Sequence, residues 1–360
     1  PGSAYSAMGE PTTESGKVPG MLYISLIALM IAIASATQDI AVDAFRIDQF
    51  DVNETTKMPP ASAMAVVGWW TGYSLPGYLA FVNADSMGWN GVYGVMAVIM
   101  GLLMVFTLLV GEPVDRRSNL QSKLEENYQN RFGLGRFASW FAVTVIEPFA
   151  DFIRRNGLSV AITLIAFIFM FKIGEAFLGR MSVVFYKEVG FTNEQIGEYT
   201  KMLGWIATVV FTLIGSAINV RFGVLKGLMI GGIAMGASNL MFALIAEVGP
   251  VEWLFAATII VDNFTTAFST VAFVAFLTAL TGRAFSATQY ALLASLGNLG
   301  RTTLASFSGT MVDGLDGNWS LFFVITFLMV IPSLIMLWML RDKLEVAQAK
   351  TLEHNQREQS

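Results

Sequence analysis

The sequence predicts an all-α, polytopic membrane protein, and three observations carry that prediction. Of its 360 residues 54% are hydrophobic and only 14% are charged, giving a mean hydropathy of +0.59. The apolar residues come in long runs instead of amphipathic stripes. Strict alternation of apolar and polar residues is missing, which leaves the helix as the spanning element, because a helix satisfies its own backbone hydrogen bonds in lipid.

A bilayer core of about 30 Å takes about 20 mainly apolar residues per helix. By that measure nine stretches are expected to span: residues 20 to 42, 61 to 83, 90 to 110, 157 to 185, 196 to 219, 224 to 246, 253 to 281, 286 to 311 and 319 to 340. Most of the connections between them are short and carry turn chemistry, as in GWN from Gly88, VGP from Val248 and GNW from Gly317. One connection is different. Residues 111 to 156 are long and polar and hold seven Lys or Arg, so they read as a linker between two groups of helices. Within the linker, FASWFAVTVIEPFADFI has too short an apolar run to span and is interrupted by Pro148. It reads as a helix lying on the membrane surface, with a cytosolic amphipathic helix as the alternative.

Placing the basic linker in the cytoplasm fixes the other sides by alternation. The inner side then holds Arg46, Lys57, the linker cations, Arg221, Lys226, Arg283, Arg341, Lys343, Lys350 and Arg357, against only Lys17 and Lys187 outside. The expected order is an extracytoplasmic segment (1–19), a group of three helices (20–110), the linker (111–156), a six-helix bundle (157–340) and a cytoplasmic tail (341–360). The chain opens PGSAYS, without Met, and three helices stand before the linker against six after it. The expectation is a fragment lacking three N-terminal helices.

Several function classes lose support on chemistry. Without cysteine there is neither a disulfide nor a thiolate-bound metal, and the one histidine, His354, sits in the polar tail. No GxxxxGK[ST] loop is present for a nucleotide-driven pump. No cofactor and no nucleic-acid partner is implied, and the chain is expected to work as a monomer in the bilayer.

The charges within the spans carry the functional argument. An ionisable group at helix centre costs about 2.5 to 3.5 kcal/mol on insertion scales, so each needs a partner, a wet cavity or a task. Asp262 lies near the midplane of its span, and Asn263, Thr266, Ser269 and Thr270 extend a polar stripe from it. Lys172 and Glu175 are three residues apart and can pair on one helix face. Lys201 enters the fifth span, and Arg301 lies on the eighth beside Ser295, Asn298 and Thr302. Two readings stand: structural ion pairs, or a cavity in which Lys172, Lys201 and Arg301 hold substrate carboxylates while Asp262 or Glu175 carries a proton. Asp39, Asp43 and Arg46 share a face where the first span leaves the membrane, and with Arg221 they are candidates for a cytoplasmic gate. Trp69, Trp70, Tyr73, Trp89 and Trp205 could stack on sugar rings, although aromatic rings at bilayer interfaces are common. Trp205, one turn past Lys201, is the preferred one.

Two sets of motifs resemble known families. GSAINVRFGVLK, from Gly215, resembles a degenerate form of the signature loop of major facilitator transporters, with one extra residue between Asn219 and Gly223. It falls between the second and third span after the linker, where the second half of a facilitator carries it. SATQDIAVDAFRID from Ser35, FKIGEAF from Phe171, VDNFTTAFSTVAFVAFLTAL from Val261 and FSATQYALLASLGNLGR from Phe285 resemble stretches of the AmpG muropeptide permease family. That resemblance runs from about Leu22 to Arg341 and implies a major facilitator-like bundle and proton-driven import of anhydro-muropeptides. It adds Gln289, within the last motif, to the substrate-binding candidates. A facilitator for another cargo (a peptide, a sugar conjugate or a coenzyme A thioester) and a non-transporting scaffold are the alternatives.

Overall fold

The computed structural model describes residues 21–49, 54–111, 117–133, 135–282 and 285–357. The expected segment 1–19, Lys17 and Arg283 lie outside the described residues. Among those described, the chain is helical and holds no strand. The helices are α1 (Met21–Asp48), α2 (Met58–Leu109), α3 (Arg117–Phe132), α4 (Arg136–Phe141), α5 (Glu147–Asn156), α6 (Leu158–Phe171), α7 (Ile173–Val189) and α8 (Asn193–Gly197). They continue as α9 (Gly204–Phe222), α10 (Val224–Val248), α11 (Glu252–Leu280), α12 (Ser286–Ala305), α13 (Ser308–Gly314) and α14 (Trp319–Arg357).

Among the described residues seven helical stretches are long and apolar enough to cross a bilayer: Ser25–Asp48, Asn90–Leu109, Leu158–Val189, Gln195–Phe222, Val224–Val248, Glu252–Leu280 and Trp319–Met339. The stretch expected at 61 to 83 is helical as well but is not among the seven. It is a rod of its own: α2 comprises two helices that meet at a kink at Gly88, whose φ of 68° and ψ of 161° lie outside the helical region, at the expected GWN turn. The stretch expected at 286 to 311 stops at Ala305 and resumes as the short α13. Its Gln, Asn and Arg make it the more polar rod, which is why hydropathy alone passes over it. The expected tail is helical too, since α14 runs past Met339 to Arg357 without a break.

Two compact units divide the chain, Pro1–Val42 and Asp43–Ser360. The described part of the first is helix α1, exposed at every side chain from Ser25 to Val42. In the second unit the core sits in two clusters. At the end away from the linker, Phe185, Tyr186, Phe242, Phe255, Phe322 and Phe323 interlock with Trp319. There the Phe185 and Phe323 rings meet edge to face at 4.6 Å, a geometry that suits aromatic quadrupoles. At the linker end, Phe152, Leu164, Phe167, Phe276, Leu280 and Leu337 form the other cluster. Buried hydroxyls between them are satisfied inside their own helices: Thr258 donates to the Leu254 carbonyl at 2.7 Å and Thr212 to that of Thr208 at 2.6 Å.

Two glycines fix how the helices meet between these clusters. A Cβ on Gly174 would lie 2.5 Å from Val330 Cγ2 and 2.9 Å from the Thr326 carbonyl, so α7 and α14 touch there backbone to backbone. A Cβ on Gly300 would collide with the Phe169 carbonyl, which holds α12 equally close to α6. Both contacts flank the junction of α6 and α7.

Candidate functional site

That junction lies within a span. Lys172, 14 residues beyond the start of α6 and so about 21 Å along it, adopts φ −99° and ψ 10° and separates α6 from α7. Broken helices at membrane depth persist only where protein or a wet cavity receives the freed backbone groups. Here the break turns the Lys172 side chain against α11. Its ammonium donates to Glu175 Oε2 at 2.5 Å, Ser269 Oγ at 3.0 Å and Thr270 Oγ1 at 2.9 Å. All three ammonium protons therefore have acceptors, which lets a charge only 8% exposed persist in the interior.

Asp262 stands ten residues into α11, about 15 Å from that helix end. Its carboxylate accepts from Ser238 Oγ of α10 at 3.2 Å, and Ser238 is reached in turn by Thr265 Oγ1 at 3.4 Å. One hydroxyl is a thin complement for a carboxylate with about four acceptor positions. Arg301 is exposed on α12, one turn beyond the exposed Asn298, and among the described residues no acid pairs with it. Lys172 and Glu175 are thus a saturated pair, while Asp262 on α11 and Arg301 on α12 have no ion-pair partner among the described residues.

The remaining expected site residues divide. Asn263 points at α9, accepting from Thr208 Oγ1 at 2.7 Å and donating to the Ile259 carbonyl at 2.7 Å. It is spent on holding α9 to α11. Trp205 is half-buried, and its indole N–H has no acceptor within the described structure. The backbone of Lys201 lies in a π-helical turn, Glu198–Leu203, of the kind that often marks functional positions. The side chains of Lys201 and Trp89 are outside the described residues. Trp69 and Tyr73 stack on each other at 5.7 Å and are both exposed, while Trp70 packs against Ala63, Val66 and Val271.

Gln289 corrects the expectation most. It is 2% exposed and lies at the linker end, where its side-chain oxygen accepts from Gly282 N–H at 2.6 Å and Arg155 at 2.8 Å. Its amide nitrogen donates to Asp151 at 2.8 Å and to the Pro148 carbonyl at 3.0 Å. With every polar position filled, it has nothing left for a ligand. Arg155 also donates to Asp151 at 3.0 Å and to Thr351 at 3.0 Å, so this network ties α5, α12 and α14 into one joint. No local sequence signal links Gln289 to Asp151, 138 positions away.

Of the gate candidates, Arg46 donates to Asp43 at 3.1 Å and to Thr278 Oγ1 of α11 at 3.3 Å, and its guanidinium sits 5.1 Å from the Tyr290 ring of α12. Ser286 adds a bond to Asp48 at 3.3 Å. The linker end of α1 is therefore held to α11 and α12 through Arg46 and Asp48. Asp39 is exposed on α1, and Arg221 is exposed at the end of α9, over the ring of Phe222 at 5.8 Å. Neither reaches the others. Among the described residues no group of three or more His, Cys, Asp or Glu could hold a metal ion.

Membrane-spanning helices that carry charged groups within their spans are what a transporter needs, and the comparisons with known proteins agree. The chain superimposes on the major facilitator proton:xylose symporter XylE, solved with 6-bromo-6-deoxy-D-glucose, with a TM-score of 0.57 and 14% identity over 82% of this chain and 66% of that one. No family model matches the chain. Curated relatives do. It is 33% identical over 322 residues to AmpG 4 of Rickettsia conorii, covering 89% of this chain and 73% of that one. It is also 32% identical over 346 residues to the anhydromuropeptide permease of Escherichia coli K12, covering 95% of this chain and 64% of that one. The protein belongs to the AmpG family of transporters and has the fold of a major facilitator.

Proposed function

We propose that the protein imports anhydro-muropeptides into the cytoplasm, driven by protons, and that the charges around the α6–α7 break do the work. The observation that carries this reading is the contrast among the charges on these spans. Lys172 is saturated by Glu175, Ser269 and Thr270, while Asp262 has one hydroxyl partner and Arg301 has no acid. Arg301 takes a carboxylate of the peptide stem. Asp262 takes the proton, and the Lys172–Glu175 pair stands between them, able to exchange a partner as charge arrives. The name of the Escherichia coli relative supports the cargo. The experiment is uptake of labelled anhydro-disaccharide peptide in spheroplasts with and without a protonophore. Uptake that collapses with the protonophore is expected; flux indifferent to it removes proton coupling, and no flux of this cargo removes the substrate.

The joint of Arg46 and Asp43 with Thr278 and Tyr290 serves, on this reading, as a cytoplasmic gate closed while the cavity faces outward. Asp43→Asn takes away the acid that orients the guanidinium. It should lower uptake about tenfold, as expected for loss of one charge-assisted bond worth about 1.5 to 3 kcal/mol, with membrane insertion unchanged on fractionation. Wild-type uptake by that variant removes the gate.

The linker helix lies on the cytoplasmic membrane surface. Ser139, Val143, Glu147 and Asp151 are buried on one side, while Phe137, Trp140, Val145, Phe149 and Ile153 are exposed along the other. Six-residue α4 and α5 run through a π-helical turn, Ala142–Ile146, which keeps these apolar side chains in one row. A protein with Trp140 as its only tryptophan in this segment should show that residue quenched by brominated lipid; indifference to the quencher means that the row faces water or protein.

A further inference from the structure

Helix α14 does not stop where its apolar span ends at Met339. Beyond that point it forms one wall of a cleft of about 230 Å³, with Asn156, the last residue of α5, and Val160, near the start of α6, as the other wall. Lys343, Val346 and Lys350 line the α14 wall at offsets of three and seven, which puts them on one helix face. Lys343 stands four residues past Met339, about 6 Å along the axis. That is the depth of the headgroup layer, which adds about 5 to 8 Å to each side of the hydrocarbon core.

The chemistry of the cleft is specific. Lys343 and Lys350 are exposed and, among the described residues, pair with no acid. Asp342 lines the cleft as well, and its carboxylate is taken by Arg341 at 3.1 Å. Val160 and Val346 supply apolar wall. Asn156 is 5% exposed and donates its amide to the Phe152 carbonyl at 2.9 Å, which leaves its Oδ1 buried with no donor. An orphaned buried acceptor costs about 1 to 3 kcal/mol, and a hydroxyl brought into the cleft would relieve it. The volume equals about seven waters at about 30 Å³ each, the size of a small polar headgroup.

We infer that this cleft is a binding site for an anionic phospholipid with a glycerol headgroup, its phosphate held by Lys343 and Lys350 and its headgroup hydroxyl near Asn156. The site is separate from the transport cluster and independent of what the protein carries. A lipid fits better than a soluble phosphate because the cleft opens at headgroup depth, has apolar walls, and sits where acyl chains lie alongside α6 and α14.

The test is native mass spectrometry of the full chain released from nanodiscs containing equal phosphatidylcholine and phosphatidylglycerol. Wild type should retain phosphatidylglycerol about 20-fold over phosphatidylcholine, from the attraction of two lysines near the surface. Lys343→Gln with Lys350→Gln should abolish that preference; both side chains are exposed, so folding is not at issue. Lys226→Gln, exposed at the far side of the α9–α10 turn, should leave it intact. In a second set of nanodiscs with phosphatidic acid and phosphatidylglycerol in equal amounts, wild type should favour phosphatidylglycerol and Asn156→Ala should hold both alike. Unchanged retention by the double lysine variant overturns the site. Displacement of the lipid by millimolar inorganic phosphate alone overturns the lipid assignment.

Discussion

Replacing Lys172 by Met is expected to abolish uptake, by at least about 100-fold, and to destabilise the protein at the same time. The ammonium is the hub of three hydrogen bonds at 2.5 to 3.0 Å, and Glu175, with a side chain 14% exposed, depends on it. Removing one member of a buried pair costs about 3 to 5 kcal/mol, because the other charge is left without compensation. A fall in melting temperature alone would fit a merely structural pair. The double variant Lys172→Met with Glu175→Gln separates the roles, since it removes both charges and restores the melting temperature. If the pair only bolts α7 to α11, uptake returns with stability. If it passes charge between Asp262 and Arg301, stability returns and uptake does not. Wild-type uptake by the single variant would remove Lys172 from the site altogether.

That hub was half legible in the sequence. The spacing of Lys172 and Glu175 puts them on one helix face whatever surrounds them, and Ser269 and Thr270 stand out as a polar stripe in an apolar run. The break in the helix was not legible. Nothing in FKIGEAF forbids a straight rod; the interruption arises where Gly174 lets α7 press onto the Thr326 carbonyl of α14, a contact 152 positions away in the chain. Depth along a span was readable from apolar length, so the levels of Asp262 and Arg301 could be placed, but the choice of neighbours could not. Ser238 stands among the small residues of GGIAMGAS, with nothing in the sequence to mark it as the hydroxyl that meets Asp262. Gln289 shows the opposite failure. Polar residues in a span suggest a cavity, yet those at a helix start can be consumed by the segment packed beneath them. Here Asp151 and Arg155 of the linker do so, and pairing across such sequence distance has no local trace. The turn at Gly88 was legible, because a glycine takes at little cost the positive φ that separates one helix from the next.

Asp262→Asn should separate transport from its driving force. The substitution keeps the size of the side chain and an oxygen for the Ser238 hydroxyl, so the α10–α11 contact at 3.2 Å can survive. What it removes is the ability to exist with and without a proton. In a coupled carrier the loaded and empty forms must differ in protonation for the gradient to drive a net cycle, whereas exchange of internal for external substrate needs only that the cavity open to both sides. Counterflow of labelled substrate in proteoliposomes should therefore continue within about twofold of wild type, since no substrate contact is lost, while accumulation against a gradient under an imposed pH difference should vanish. The alternative carrier of the proton is Glu175, whose oxygen is bound to the Lys172 ammonium. A proton arriving there must first break a buried ion pair, and one arriving at Asp262 displaces a single hydroxyl. That difference in what is given up makes Asp262 the more accessible acid. Accumulation retained by Asp262→Asn and lost by Glu175→Gln would transfer the role to the pair and leave Asp262 as a helix contact.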